Sequence, residues 1–458
     1  MSRQPLSAVI VKSRARILVL ATTQFNPLDG SASFYNRQVK SSIARRLREV
    51  FDVSLRRCDP ATLTRSAIER SKEARTVDVV ALGKCAAAML SGAAATLDIR
   101  RSFMSVPAGY PVVEGVTELR IGSHPQLSPD SFAAGESLLR FIDRFFPTLF
   151  LISGGSSACV EAPLKPWFDA GDLVEINRVM LRSGLAIEGI NTVRKHLSAI
   201  KGGRLASVTG HSVTFVLSDV GTGALHLVGS GPTLADPTSL GEAAAILRRL
   251  PGDCAASIAE RLESGQVPET PKSGARPHLA GDNSTLVRAA ADEVTRLGLR
   301  ASIIDREMTG DVQSVARELF TIATRLATDE VAIAGGEPTV VVNGEGRGGR
   351  CGEVAARFAM RSIEERRGDV CGLFAASDGV DGNSGTAGAV VFSGGAGPVT
   401  ATTDEISRAL ERSDSRSILE KIGEPIIIPA TGNNVRDLFL VARDSGPHFS
   451  QGFCCGSG

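Results

Sequence analysis

Net charge is almost absent from this sequence: 51 lysines and arginines face 50 aspartates and glutamates, a formal +1 over 458 residues. No global field therefore draws the chain to nucleic acid or to an anionic membrane, and any anion site has to be local. No apolar run approaches the roughly twenty residues of a membrane span. The basic start, 1–16, is not followed by a signal-peptide core with a small-residue cleavage site, so the expected location is the cytoplasm. The eight cysteines (Cys58, Cys85, Cys159, Cys254, Cys351, Cys371, Cys454 and Cys455) form no CxxC pair and no Cys/His cluster with zinc spacing. They read as small buried hydrophobes in a reducing compartment. Internal repeats, low-complexity blocks and a Walker A loop are missing as well.

What is present is a soluble-globular balance, 43% hydrophobic and 22% charged, in a chain too long for one core. Short β-branched or leucine-rich runs predict strands at 14–21, 77–82, 149–153, 213–218, 301–304, 331–334, 340–342, 373–376 and 426–428. Amphipathic helices are predicted between them, as at 130–145, 284–297 and 312–324. This alternation predicts an α/β protein of two domains, with mainly parallel sheets flanked by helices. Loops at the carboxyl ends of the strands would then carry the site. The polar, proline-rich stretch 263–277 is the expected linker.

Six constellations combine glycine with charge near predicted strand ends. In VVALGKCAAAM, Lys84 follows a strand and opens an alanine-rich helix, a place where phosphate or carboxylate would bind. In FLISGGSS, Gly154 and Gly155 let backbone N–H groups approach an oxyanion, and Ser156 and Ser157 add hydroxyls. In INTVRKHLSAIKGGR, helical spacing puts Asn191, Arg194, Ser198 and Lys201 on one face, beside Val193, Leu197 and Ile200. Gly202 and Gly203 would end that helix and leave Arg204 near its C-terminus. A packed helix with so many cations suits an acidic ligand, whereas His196 points elsewhere and is not taken as a base.

In LSDVG, Asp219 directly follows a strand, a metal or hydroxyl position at the mouth of a sheet. GSGPT, 229–233, would supply a second rigid turn. GGEPTVVVNGEGRGGRCGE contains a GxGxxG match at 344–349 that is weak alone, and its Arg347 and Arg350 suit a phosphate or a transition-state charge. AASDGVDG pairs Asp378 and Asp381 on a tight loop that could hold Mg²⁺ or orient a hydroxyl. Each constellation alone also fits a turn, a helix cap or a solvated charge.

Taken in order, INTVRKHLSAIKGGRLA, GSGPTLADPT, GEGRGGRCGE, SDGVDG and TGNNVRDL, with GSHP at 122–125, resemble the type II glycerate kinases, which carry a MOFRL domain. The resemblance runs from about 59 to 438. It implies a Rossmann-like α/β domain over 41–270 and a MOFRL-containing domain over 278–443, with the active site in the cleft between them. An extension, 1–40, and a tail, 444–458, flank these. It also implies ATP and Mg²⁺ as cofactors and phosphorylation of the 2-hydroxyl of D-glycerate. The family's active-site lysine and arginine map onto Lys84 and Arg350.

On this reading Lys84, Arg350 and Asp219 are catalytic. Gly154, Gly155, Ser156, Ser157 and Arg347 hold phosphates, Arg194 and Lys195 bind the substrate, and Asp378 with Asp219 hold the metal. The partner is a small hydroxy acid, with no nucleic acid or membrane, and a homodimer is the assembly left open. Three departures bear on the substrate: Ser153 to Ser157 replaces a triple-glycine loop, Gly221-Thr-Gly-Ala224 replaces a Gly-Asp, and Cys351-Gly352 replaces a polar pair. The alternatives are a kinase of a related hydroxy acid, an NAD-dependent hydroxypyruvate reductase, and a non-catalytic ligand-binding homologue. Against the reductase, no acidic residue ends a following strand at the ribose-binding spacing of about twenty residues.

Overall fold

The computed structural model describes residues 42–71, 76–221, 223–392 and 399–444. The strand expected at 14–21, the extension and, but for Asp444, the tail lie outside the described residues. Among these, twelve strands form two six-stranded sheets. The first contains β1 (Thr76–Leu82), β2 (Asp98–Pro107), β3 (Glu118–Gly122), β4 (Thr148–Ser153), β5 (Ser212–Leu217) and β6 (Pro277–Gly281). Its order is β3-β2-β1-β4-β5-β6, and every pairing is parallel. The central strands β1 and β4 are mostly apolar and buried because both faces are covered, whereas the edge strands β3 and β6 are largely exposed. Along β4, Leu149 and Leu151 enter one core and Phe150 and Ile152 the other, the two-residue period of a strand.

The second sheet contains β7 (Arg300–Met308), β8 (Glu330–Gly336), β9 (Val370–Ala376), β10 (Gly388–Phe392), β11 (Gly423–Ile426) and β12 (Asp437–Arg443), in the order β11-β10-β9-β12-β8-β7. The α/β class holds here, but the expectation of a parallel sheet does not. Only β7 and β8 pair in parallel, because β12 inserts antiparallel between β8 and β9 and β10 returns against β9. The predicted strand at 340–342 does not form. Val341 and Val342 are exposed, and this stretch offers only a single bridge from Thr339 to Asp311.

The domain division also shifts. β6 pairs with β5, so the 263–277 stretch feeds the first sheet, and the chain passes to the second at Asp282. Helix Ser42–Arg57 packs against helix Asn283–Arg296 and the second sheet, while helix Pro60–Ser71 packs against β6 and helix Ala86–Ala94. One apolar layer, from Leu47 and Phe51 through Leu149 and Val287 to Ile333 and Leu373, joins the two sheets. Among the described residues no helix is long and apolar enough to cross a membrane. Cys58, Cys85, Cys159, Cys351 and Cys371 are buried, and burial pushes the Cys85 thiol up to about 12.

Candidate active site

In the first sheet the chain runs outward from β1 to β2 and β3 on one side, and from β4 to β5 and β6 on the other. This order leaves a crevice outside the carboxyl ends of β1 and β4. The two turns there touch. The Lys84 amide donates to Gly154 O at 2.9 Å and the Cys85 amide to Ser153 Oγ at 3.1 Å. Gly83, at φ +106°, has no room for a side chain, since a β-carbon would meet Ser153 O at 2.5 Å. Lys84 thus starts its side chain beside Gly155 and lays its ammonium 5.8 Å from the Tyr110 ring centre, with no ion pair among the described residues.

Asp219 follows β5 and lies beneath Gly154. Burial, and then the charge of Glu337, push its carboxyl up to about 6 against the pull of Lys84. The second sheet supplies its partners. Asn434 Nδ2 donates to Asp219 Oδ2 at 2.9 Å, and Arg436 Nε donates to Asp219 O at 2.8 Å. Arg436 holds a left-handed backbone, φ +66°, an arrangement that costs energy and is met at functional sites. Its guanidinium lies 3.5 Å from Glu337, which follows β8, and Glu337 in turn lies 3.0 Å from Arg350 Nη1. Arg350 closes a fork on Asp437, Nε to Oδ2 at 2.6 Å and Nη2 to Oδ1 at 2.9 Å. Burial pushes Asp437 up to about 6, yet beside that guanidinium it is still ionised at neutral pH. Two of five guanidinium N–H donors are spent on Asp437, and Nη1, ion-paired with Glu337, keeps donors free for a ligand.

Asp378 follows β9. Burial raises its carboxyl, Glu337 adds to the effect, and Lys84 and Arg350 oppose it, which places it in the same field. Its Oδ1 accepts from Val380 N at 2.9 Å. Asp381 does not join it. Both its oxygens receive backbone amides of the Arg350–Glu364 helix, from Cys351 at 3.0 Å and Gly352 at 2.8 Å. The expected aspartate pair is one cleft carboxylate and one helix cap. Among the described residues no three His, Cys, Asp or Glu side chains gather into a metal cage. Asp219 and Asp378 both feel Lys84 and Glu337, and Mg²⁺ needs no full protein cage, since it takes one or two carboxylates and completes its shell with phosphate and water.

Other expected residues fall elsewhere. Helix Ile187–Leu197 ends before Ser198, whose hydroxyl binds Glu161 at 2.5 Å and takes the Ile200 amide at 3.2 Å, drawing the backbone out of the helix. Gly203 therefore starts the next helix, Arg204–Val208, and Arg204 opens that helix where the sequence suggested the end of the previous one. Lys195 is buried with its ammonium 3.1 Å from Asp236, and Lys201 is buried on Glu161, so neither offers its charge to a ligand. Arg194 stays half-buried on Asn177, with its charge felt at His124.

Ser156 turns into the interior, where a β-carbon on Gly229 would strike its hydroxyl at 2.1 Å. Ser157 bonds Ser230, which donates to Asn191. Gly344, Gly346 and Gly348 let this segment lie on Arg412 to Ser415, and Gly349 lies against Asp381. Arg347 is exposed and bonds the carbonyls of Asn383 and Ser384, away from Arg350's partners.

His124, Glu337, Asn434, Arg436 and Asp437 carry no assigned role in the sequence reading. His124, after β3, faces Gly155. Burial, then Lys84 and Arg194, lower it to about 4, so it is neutral at physiological pH. Glu337 directly after Gly336, and Asp437 in TGNNVRDL, stood inside recognised segments, but only the pairing of the strands brings them to Arg350.

Residues 46–263 match the family described as "Domain of unknown function (DUF4147)", and residues 330–437 match the MOFRL family. A glycerate 2-kinase of Sulfurisphaera tokodaii is 31% identical over 376 residues, 79% of this chain and 89% of that one. A D-glycerate 2-kinase of Thermotoga maritima is 31% identical over 385 residues, 80% and 90% of the two chains. A protein of Agrobacterium vitis that bears a hydroxypyruvate reductase name is 32% identical over 411 residues, 86% and 92%. The crystal structure of a glycerate kinase from Thermotoga maritima superposes with a TM-score of 0.77 at 28% identity, covering 87% of this chain and 99% of that one.

Proposed function

The chain belongs to the glycerate 2-kinase family that carries the MOFRL region, and from that membership we propose that it transfers the γ-phosphoryl group of ATP to the 2-hydroxyl of D-glycerate. One observation supports the chemistry above all. The crevice gathers an ammonium without an ion pair among the described residues (Lys84), two half-buried carboxylates held above the usual range (Asp219, Asp378) and a clamped guanidinium (Arg350). Phosphoryl transfer asks for that combination, since it needs charge neutralisation and in-line positioning more than covalent steps.

In this reading the backbone of Gly154 and Gly155 borders the transferred phosphate. Lys84 and the unused donors of Arg350 stabilise its equatorial oxygens. Asp437 and Glu337 fix the guanidinium beforehand, so little reorganisation is needed as charge shifts. Asp219 and Asp378 would hold Mg²⁺, which would offset phosphate charge when bound. Arg194 suits the glycerate carboxylate, and His124, kept neutral in the field of Lys84 and Arg194, can hydrogen-bond a hydroxyl without adding a further cation.

The reductase reading, the weaker alternative that a relative's name still carries, loses its ground in the glycine motif. The GxGxxG segment is packed on Arg412 to Ser415, and the helix N-terminus beyond it is taken by Asp381, which leaves no seat for a pyrophosphate. Phosphorus NMR of the product formed from ATP and D-glycerate tests the proposal. A 2-phosphoglycerate resonance is expected. No turnover, or NADH oxidation with hydroxypyruvate, would overturn it.

A further inference from the structure

A cavity of about 350 Å³ runs along β6, from Gly274, Ala275 and Pro277 at its amino end to Asp282 just past its carboxyl end, beside the loop that follows β5. Ser218 and Gly221, on either side of Asp219, line its rim, so it continues from the crevice. We propose that this cavity seats the purine base of the nucleotide. The inference rests on the kinase reading and assigns a subsite within it.

The two sides of the crevice differ in chemistry. Toward β3 lie Lys84, Arg194 and His124, a cationic side suited to a small carboxylate. Toward β6 the cavity walls are Leu225, Leu234, Pro277 and Leu279, and no lysine or arginine lines them. A phosphate or carboxylate has no counter-charge there, whereas a flat heteroaromatic ring finds apolar walls with a few polar groups at the edge, the usual make-up of such sites. Two polar side chains are present. Asp282 uses Oδ1 to cap helix Asn283–Arg296, accepting from Thr285 N at 2.9 Å, and its Oδ2 has no hydrogen bond among the described residues, so it can accept from an exocyclic amine. His226 is held neutral by burial and the nearby Lys195 charge, and its ring can donate to or accept from a ring nitrogen.

Distance agrees. Neighbouring strands lie about 4.8 Å apart, which places the β5–β6 end roughly 5–10 Å from the Gly154 turn of β4. A triphosphate and ribose bridge that interval, with Asp219 under the phosphates on the way.

Calorimetric titration of the full chain with Mg²⁺-ADP and, separately, with Mg²⁺ and inorganic triphosphate tests the assignment without needing turnover. Leu279→Trp, on edge strand β6, fills the cavity. ADP affinity should fall about tenfold or more and triphosphate affinity stay within about twofold. His226→Ala should lower ADP affinity alone, and it decides the matter should Leu279→Trp melt early. Unchanged ADP affinity in folded variants, equal losses for both ligands, or no ADP binding by the wild type would overturn the proposal. ADP binding that depends on Leu279, with no phosphate transferred to glycerate, would uphold the subsite and sink the kinase reading.

Discussion

A β-carbon at Gly154 would come 1.8 Å from Asp219 Oδ2, so the carboxylate occupies the space that any other residue's side chain would need. Gly154→Ala should therefore push Asp219 from its place between the two sheets. A displacement of about 1 Å in a reacting group can cost about a hundredfold, and steady-state kcat/KM should fall by about that factor. A normal value would remove Asp219 from the reaction.

Asp219 also predicts a pH signature. Its folded value of about 6 lies above the unfolded value of about 3.9. The native state therefore binds the extra proton, and this stability is full below about pH 4 and lost as pH rises through 6. Asp219→Asn escapes that loss. Its melting temperature minus that of the wild type should be small near pH 4, grow through pH 6 and level off above, by of order 2 kcal/mol in stability. A difference independent of pH would contradict the burial of a charge at this position.

Arg350→Ala looks from sequence like a purely catalytic lesion, but the fork on Asp437 adds a structural one. Removing the guanidinium leaves a fully buried carboxylate unpaired, at a cost of about 3–5 kcal/mol. The single variant should lose about a thousandfold or more in turnover and melt early. Adding Asp437→Asn should restore most of the melting temperature but not the rate. Recovery of both would reduce Arg350 to a counter-ion.

Lys84 differs because the described residues give it no ion pair to lose. Lys84→Ala should change stability by no more than about half a kilocalorie per mole, while kcat falls far more than KM changes. Unchanged turnover would exclude a catalytic role, and a collapsed melting curve would make the lysine structural.

For Lys195 the expectation runs the other way. Lys195→Met strands the buried Asp236 and should cost about 3–5 kcal/mol, with the KM for glycerate unchanged in the folded fraction. Arg194→Ala should raise that KM. The reverse pattern would return Lys195 to the substrate site.

Both parallel strands that carry the crevice were legible in the sequence, because β1 and β4 are mostly apolar runs, β1 interrupted only near its start by Asp78, that lead into a glycine turn. Lys84, Gly154 and Asp219 follow directly from strand ends. Residues whose role depends on non-local pairing were not legible. Arg350 and Asp437 are 87 positions apart and meet because β12 slips between β8 and β9. The glycines of 344–349 misled because close approach to Arg412 to Ser415 and to Asp381 demands the same residue as close approach to a phosphate. The basic stripe of 191–201 misled because buried carboxylates from outside that helix, Glu161 and Asp236, had already claimed two of its cations.

Helix Ser42–Arg57 packs on the sheet built from the last third of the chain, although the next helix belongs to the first. The polypeptide is therefore not two beads on a string. During synthesis this helix has to wait for β9, β10 and β12 before its apolar face is covered, with Leu47, Val50 and Phe51 exposed meanwhile. A fragment beginning at Asp282 would lack the cover for that same face. Splitting the gene at the sheet boundary should give two aggregating halves, whereas co-expressing 1–281 with 282–458 should let them complement.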